Sequence, residues 1–385
     1  MKVALVHDWL TGMRGGERVL EVLCELFPDA DIFTLLHIEG SVSPTIERHR
    51  IHSTFIGRLP QAETRYRFYL ILFPFAAERI DLSGYDLILS SSHCVAKNVR
   101  PPTGACHISY VHTPMRYVWD QFDAYFGPGR ASLPVRAAMR LARPWLQKRD
   151  VETSRRVDYF VANSRHVAKR IERHYGRNAE VIYPPVDVDR FSPSPRDEGY
   201  YLMVTAFAPY KRVDLAIEAF NRTGSRLRIL GSGQDEARLR SMAGRNIEFL
   251  GWGTDAEVNA AYAGCKALIF PGEEDFGIVP VEAMASGKPV IAYGRGGVLD
   301  TVVPLDGHGA PAGEASASSH APTGIFFHEQ SPDSLIQALR HFEHNHHRFN
   351  PELTARHARS FHRSSFKKRL QEFVREKYDH FEDVV

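Results

Sequence analysis

Twice along the chain a series of short apolar runs alternates with segments of helical period, and few folds accept that pattern. The first series holds VALVH, DLILSSS, HISYVHT, YFVANS and AEVIYPP; the second holds YLMVTAF, LRILGSG, IEFLG, ALIFPG, PVIAYG and TGIFF. Runs of this length, edged by Gly, Pro and Ser, read as strands covered on both faces. Strands separated by helix-length crossovers pair in parallel, so the predicted class is α/β, with two Rossmann-like doubly wound sheets. A chain of 385 residues also exceeds one ordinary core. Between the two series lies PPVDVDRFSPSPRDEG, Pro184 to Gly199, rich in proline and charge, where the hinge is expected. The expected organisation is 1–190, an N-terminal domain; 191–362, a C-terminal domain; and 363–385, a helix packing back toward the first domain.

Charge and cysteine content exclude several classes. The formal net charge is +2, too small for a general nucleic-acid binder. One local basic segment stands out: Arg130, Arg136, Arg140, Arg143, Lys148, Arg149, Arg155 and Arg156 against Asp150 and Glu152, interleaved with apolar residues and Trp145. It reads as a basic amphipathic helix, with too little aromatic content for base stacking and a better match to anionic lipid headgroups, although an ordinary solvated helix has the same pattern. The four cysteines are scattered without a framework, as in a reducing compartment. MKVALVHDWL is broken by His7 and Asp8, so it reads as a first strand and not a signal peptide. The longest apolar stretch, Phe68 to Ala77, is half a membrane span and contains Pro74. The expected location is cytoplasmic, with peripheral contact at the inner face of the cell membrane open to it.

The strongest motif is FPGEEDFGIVPVEAMASGKPVIAYGRGG, residues 270–297. It reads as strand, loop, helix, turn and strand. Glu274 precedes the helix and Glu282 follows two turns in, so both carboxylates can face one side. The amides of Gly277, Ile278 and Val279 at the helix start, beside Phe276, form an anion site suited to a diphosphate. Lys211, with Arg212 beside it, supplies fixed positive charge at a second helix start, where the helix dipole disfavours a cation without a ligand. A bound anion on which negative charge grows needs such cations and amides, or a metal.

Glu274, seven intervening residues and Glu282 within EDFGIVPVEAMASGKPVIA resemble the signature of family 4 retaining glycosyltransferases. GGERVLEVL (Gly15 to Leu23), VANSRHVAKRI and YKRVDLAIEAF match that family's pattern in order and spacing. The resemblance implies a GT-B fold, two Rossmann-like domains facing each other across a cleft, with the nucleotide-sugar held mainly by the C-terminal domain. It further implies retention of anomeric configuration and no metal or other cofactor. Donor-binding residues are then Arg212, Glu282, Phe276, Gly277, Ile278, Val279, Gly15 and Gly16, with Glu274, Lys211 and His112 catalytic. One departure concerns the arginine that many members carry shortly before the lysine: Thr205 and Ala206 stand there, leaving Arg212 or the amides to replace it.

His112, in HTPMRYVWD, ends a strand, where an imidazole can bind a sugar hydroxyl or shuttle a proton. That stretch resembles a subgroup that builds bacterial surface polysaccharides, often with mannose. Asp8, Trp9 and Arg116 are the acceptor candidates, Arg116 for a phosphate. The expected donor is GDP-mannose, then a UDP-sugar; the expected acceptor is a glycan or a polyprenyl-diphosphate-linked saccharide. The triplets Asp29-Ala30-Asp31 and Asp187-Val188-Asp189 read as turn and linker carboxylates, and the histidines from His341 to His347 as a solvated helix end, so no metal site is assigned. Rival readings are a nucleotide-sugar epimerase on the same fold and a non-catalytic assembly partner.

Overall fold

The structure, a computed structural model, describes residues 1–129, 131–306 and 321–384. Arg130 and most of the small-residue stretch 307–323, read from sequence as a mobile surface loop, lie outside the described residues. Two compact units form: residues 1–185 with 364–385, and residues 186–363. The crossing at 185/186 falls inside the Pro184 to Gly199 linker, ahead of the expected 190/191.

The first unit is built on strands β1 (Val3–His7), β2 (Asp31–Thr34), β3 (Ile51–Ser53), β4 (Leu87–Ser92), β5 (Cys106–Val111), β6 (Tyr159–Ala162) and β7 (Ala179–Val181). They pair in parallel in the order β3-β2-β1-β4-β5-β6-β7. The chain starts in the middle and winds outward both ways, so the strand order reverses between β1 and β4. That reversal opens a crevice at the carboxyl ends of the two strands. The terminal helix (Arg363–Val384) closes one face, burying Phe366, Leu370 and Val374 against Leu5, Ile108 and Tyr110.

The second unit holds β8 (Tyr200–Val204), β9 (Arg226–Leu230), β10 (Ile247–Gly251), β11 (Leu268–Phe270), β12 (Val290–Tyr293) and β13 (Gly324–Phe327), all parallel in the order β10-β9-β8-β11-β12-β13. Here the order reverses between β8 and β11. β-branched and leucine-rich strands pack between helices on both faces, the buried core running from Tyr201 and Met203 through Ile269 and Ile291 to Phe342.

The basic helix forms over Leu133–Ser154, with Pro144 inside it. Its charges divide. Arg149 and Arg156 turn to Glu78, which also takes Arg100, and Arg143 donates to the carbonyls of Val118 and Trp119. Arg140, Lys148 and Arg155 are exposed. On the inner side Asp150 meets Lys97 at 2.7 Å, and each side chain is 1% exposed.

His107, on β5, is also buried, its ring between Ser90 Oγ (2.9 Å) and the carbonyl of Arg156 (3.2 Å). Burial pushes it down to about 4, with the Lys97 charge adding to that and the Arg156 carbonyl opposing. Unfolded histidine titrates near 6.5. Between those values the unfolded chain holds one more proton, so this contribution is complete above about pH 6.5 and is lost as pH falls toward 4, on the order of 3 kcal/mol in all. His107→Gln is expected to flatten that part of the pH dependence of urea unfolding. An unchanged slope would assign the pH dependence to other groups.

Candidate functional site

In the second unit the loops after β8 and β11 leave the sheet at the reversal of strand order, and glycines let them touch. Residues 205–207 lie on the GSG turn after β9: Thr205 N–H donates to the carbonyl of Leu230, and Phe207 N–H to that of Ser232. A Cβ on Gly231 would stand 1.8 Å from the Thr205 carbonyl oxygen, and one on Gly233 2.7 Å from that of Phe207. No side chain fits at either position. The chain then turns through Pro209–Lys211 and reaches Arg212 at φ +51°, a left-handed conformation that costs a non-glycine residue on the order of 1–3 kcal/mol. Gly272, after β11, lacks a Cβ that would lie 2.8 Å from the Tyr210 carbonyl oxygen and 3.0 Å from Lys211 Cα.

This close approach brings Lys211 Nζ to 2.5 Å from Glu274 Oε1, with the two side chains 14% and 20% exposed. Glu274 is fixed through its backbone: it bridges Gly296 in parallel, and its carbonyl accepts from Gly297 N–H at 2.8 Å. Any Cβ on Gly296 or Gly297 would stand 2.4 Å or less from that loop's backbone oxygens. The GRGG run therefore supports Glu274 instead of supplying specificity side chains.

The helix Ile278–Ala285 starts at Gly277, φ +89°. Glu282, just past the first turn of this helix, accepts from the hydroxyl of Tyr262 at 3.0 Å, and Tyr262 is fully buried. Burial first, then the Glu282 carboxylate, raises that phenol well above its ordinary value, so it stays a donor that orients Glu282. The Phe276 ring is 4% exposed and packs edge-on against Phe361 at 5.8 Å. It supports the loop from behind. Arg212 also has structural partners. Its Nε lies 3.3 Å from Asp214, its Nη1 donates to Gln330, and Gln330 donates to the carbonyl of Pro271. The chain of contacts from Arg212 to Pro271 ties the two loops together.

The first unit has a corresponding cluster at the ends of β1, β4 and β5. Gly15 and Gly16 form the first turn of the helix Gly15–Leu26. A Cβ on Gly16 would stand 3.3 Å from His7 Cε1 and 3.7 Å from His112 Nε2, so the glycine leaves room for two imidazoles. His112 Nε2 is 2.8 Å from Ser91 Oγ, and its carbonyl accepts from Asn163. His7 is 1% exposed, makes no hydrogen bond through either ring nitrogen, and sits 3.7 Å from Glu17. Burial would raise Glu17, but His7 and then His93 outweigh it and hold the carboxyl below its usual value.

Asp8 and Trp9 are not exposed acceptor groups. Asp8 Oδ2 accepts from the amides of His93 and Cys94 and Oδ1 from those of Val95 and Ala96, at 2.6 to 2.9 Å. That carboxylate shapes the loop after β4. Trp9 is core, packed on Tyr66 and Phe73. What Asp8 organises is His93, with Nδ1 3.2 Å from Asp8 and a side chain 21% exposed. Burial, then His7, Arg116 and Arg67, hold His93 well below the ordinary histidine value, with Glu17 opposing. His93 is passed over from sequence alone, where its only signal is the polar SSSH end of an apolar strand.

The two discounted carboxylate pairs are used structurally. Asp31 accepts from Tyr85, and Asp189 pairs with His362 at 2.8 Å. Among the C-terminal histidines, His341 pairs with Asp306, and the rings of His344 and His346 bond the carbonyls of Arg340 and Glu343.

Comparison with known proteins agrees with this geometry. The family profile "Glycosyltransferase Family 4" matches residues 13–190, and "Glycosyl transferases group 1" matches 187–357. A GDP-mannose-dependent alpha-mannosyltransferase of Mycobacterium tuberculosis is 38% identical over 131 residues, covering 31% of this chain and 34% of that protein. A phosphatidyl-myo-inositol mannosyltransferase of Mycobacterium leprae is 35% identical over 184 residues, 42% of this chain and 48% of that one. The chain thus spans less than half the length of either relative. In fold it is similar to Anabaena HepE in complex with UDP, with a TM-score of 0.67 at 16% identity over 98% of this chain and 100% of that chain. The two doubly wound sheets are those of the GT-B architecture, and the chain belongs to glycosyltransferase family 4.

Proposed function

We propose that this chain is a retaining, metal-independent hexosyltransferase that moves mannose from GDP-mannose onto a glycan or a polyprenyl-diphosphate-linked saccharide in polysaccharide biosynthesis, in the cytoplasm. The observation that carries it is the Lys211–Glu274 pair, held at the strand-order reversal by glycines that admit no side chain. On donor binding Lys211 moves from Glu274 to the diphosphate, joined by the amides of Gly277, Ile278 and Val279. Glu274, so released, accepts hydroxyls of the transferred sugar, and Glu282, held by Tyr262, accepts those of the ribose. The C1–O bond to the β-phosphate breaks as a C1–O bond to the acceptor forms on the same face. The acceptor hydroxyl's proton passes to the departing phosphate oxygen. In the first unit, His112 and Arg116 are the acceptor groups, His112 orienting the hydroxyl and Arg116 a phosphate, while Gly15 and Gly16 open the helix start to an anion. Mannose and GDP rest on the names of the two mannosyltransferase relatives. A UDP-sugar is the next donor to test.

The test is a thermal-shift panel with GDP-mannose, UDP-glucose, UDP-N-acetylglucosamine, GDP and UDP in EDTA, with Lys211→Ala alongside. A ligand at a hundredfold over its Kd stabilises the fold by about 2.7 kcal/mol. Stabilisation by the guanine series that persists in EDTA and weakens in the variant is the expected result. Stabilisation by uridine nucleotides alone replaces the donor, and a shift that needs a divalent ion ends the metal-free reading. Sugar isomerisation without acceptor makes the chain an epimerase. No shift with any nucleotide leaves the assembly-partner reading.

A further inference from the structure

Large apolar side chains exposed to solvent are not spread evenly over the described residues. Phe68 (69% exposed), Ile71, Leu72 and Phe75 (51%) project from the consecutive short helices Tyr66–Leu72 and Phe73–Ala77. Leu133, Leu141 (83%) and Trp145 project from the basic helix. The two segments share one buried cluster on their inner sides, where Leu70 and Phe73 join Met139 and Leu146, and Arg149 fastens the helix to Glu78 at the end of the first segment. The basic helix therefore has two apolar sides. Its inner one is satisfied by the core, while positions 133, 137, 141 and 145, four residues apart, make an outward stripe.

The surroundings of these side chains are cationic. Arg65, Arg67 and Arg79 in and beside the first segment and Arg140 and Lys148 on the helix are exposed, against the exposed Glu63 and Glu152, the latter 3.9 Å from Lys148, and Arg79 lies over the Phe75 ring at 4.2 Å. Exposed aromatic and aliphatic groups ringed by arginine and lysine suit the boundary of an anionic bilayer, where apolar tips enter the acyl region and the long basic side chains stay with the phosphates. Among the described residues no helix is long and apolar enough to cross a membrane, so the contact would be peripheral.

We propose that the face formed by residues 66–79 and the helix Leu133–Ser154 docks on an anionic lipid bilayer, with Phe68 and Phe75 inserting and Arg140 and Lys148 meeting headgroups. This deepens, and rests on, the reading of a lipid-linked acceptor. The test is sedimentation of the full chain with vesicles of phosphatidylcholine alone and of phosphatidylcholine with an equal share of phosphatidylglycerol. Wild type is expected to bind the mixed vesicles at least about tenfold better than the neutral ones and to release as salt rises. Both the Phe68→Ser, Phe75→Ser pair and the Arg140→Glu, Lys148→Glu pair should lose about tenfold or more on mixed vesicles while keeping the wild-type nucleotide-sugar thermal shift. Wild type that ignores mixed vesicles, or a serine variant that binds them as well as wild type, overturns the proposal. Self-association abolished by the serine pair, without vesicle binding, makes the face a contact between copies and overturns it too. Vesicle binding with no nucleotide-sugar shift in wild type leaves the docking face standing and removes the donor assignment instead.

Discussion

Lys211→Ala is expected to lower kcat for sugar transfer by about 10²–10³, the cost found when one preorganised donor to developing negative charge is removed. The neighbouring carboxylate makes a second, less obvious result part of the same expectation. In the free protein Lys211 is within 2.5 Å of Glu274, so some of its electrostatic free energy is already committed to that pair. Taking the ammonium to a diphosphate means giving up the carboxylate, and the sugar hydroxyls must then satisfy the oxygen left behind. Glu274→Ala should therefore bind GDP several-fold tighter than wild type, on the scale of about 1 kcal/mol for a partly exposed ion pair, while transfer falls. The extra affinity that wild type shows for the nucleotide-sugar over the bare nucleotide should shrink in the same variant. Calorimetric titration of GDP and GDP-mannose into the two variants, beside turnover, separates the roles. If Glu274→Ala weakened GDP binding as much as Lys211→Ala does, the pair would be one structural unit and the assignment of diphosphate to Lys211 and sugar to Glu274 would fail.

The legible and illegible parts of this site differ in the range of the interactions that make them. Every strand of the second unit was marked by its own apolar run, because a parallel strand covered on both faces needs one. β3 was not, since Ile51–Ser53 is three residues at the sheet edge with no face fully buried. Glu274 could be picked out because it stands in a loop whose glycines advertise a close approach, and Lys211 because a cation at a helix start is unfavourable without a ligand. Which backbone each glycine meets could not be read, and Gly272 and Gly296 proved to serve different loops. Asp8 misled for the same reason. A charged residue at a strand end looks like a ligand group, and only the tertiary fold brings the amides of 93–96 to it. The helix start at Gly15 is not legible either: Arg14 is not a usual N-cap residue, yet Glu17 closes back on the Arg14 amide and starts the helix there. That Arg212 meets Gln330, 118 residues further on, is likewise outside what the local sequence carries.

Lys97→Met is expected to be the most destabilising single substitution considered, by about 3–5 kcal/mol, because it leaves the Asp150 charge buried without its ammonium. The pair is closed on all sides. Lys97 Nζ also donates to Asn98 Oδ1 at 2.9 Å and to the Asp150 carbonyl at 3.0 Å, while Asp150 Oδ2 accepts from Trp119 Nε1 and the Tyr175 hydroxyl, both at 2.8 Å. Burial, then the Asp150 charge, raises the Tyr175 phenol well above its ordinary value, so it remains a donor throughout the working pH range. Two neutral donors do not replace an ammonium at 2.7 Å, so the carboxylate must take up a proton or draw in water, and either response opens the packing. For a unit of this size the loss corresponds to roughly 6–20 °C in melting temperature. Combining Lys97→Met with Asp150→Leu should recover part of it, since exchanging both charges for apolar groups removes the desolvation cost as well as the attraction. Differential scanning calorimetry can read the effect against an internal reference. The pair lies wholly in the first unit, so the nucleotide-sensitive transition of the second should keep its ligand response while the other moves down. The same pair pins the inner side of the helix whose outer side carries Leu141 and Trp145. A loosened helix should therefore weaken vesicle binding in Lys97→Met without touching any lipid-facing residue. Retained vesicle binding alongside the lower melting temperature would mean that the helix is held by Met139, Leu146 and Arg149, and that Asp150 anchors only its last turn.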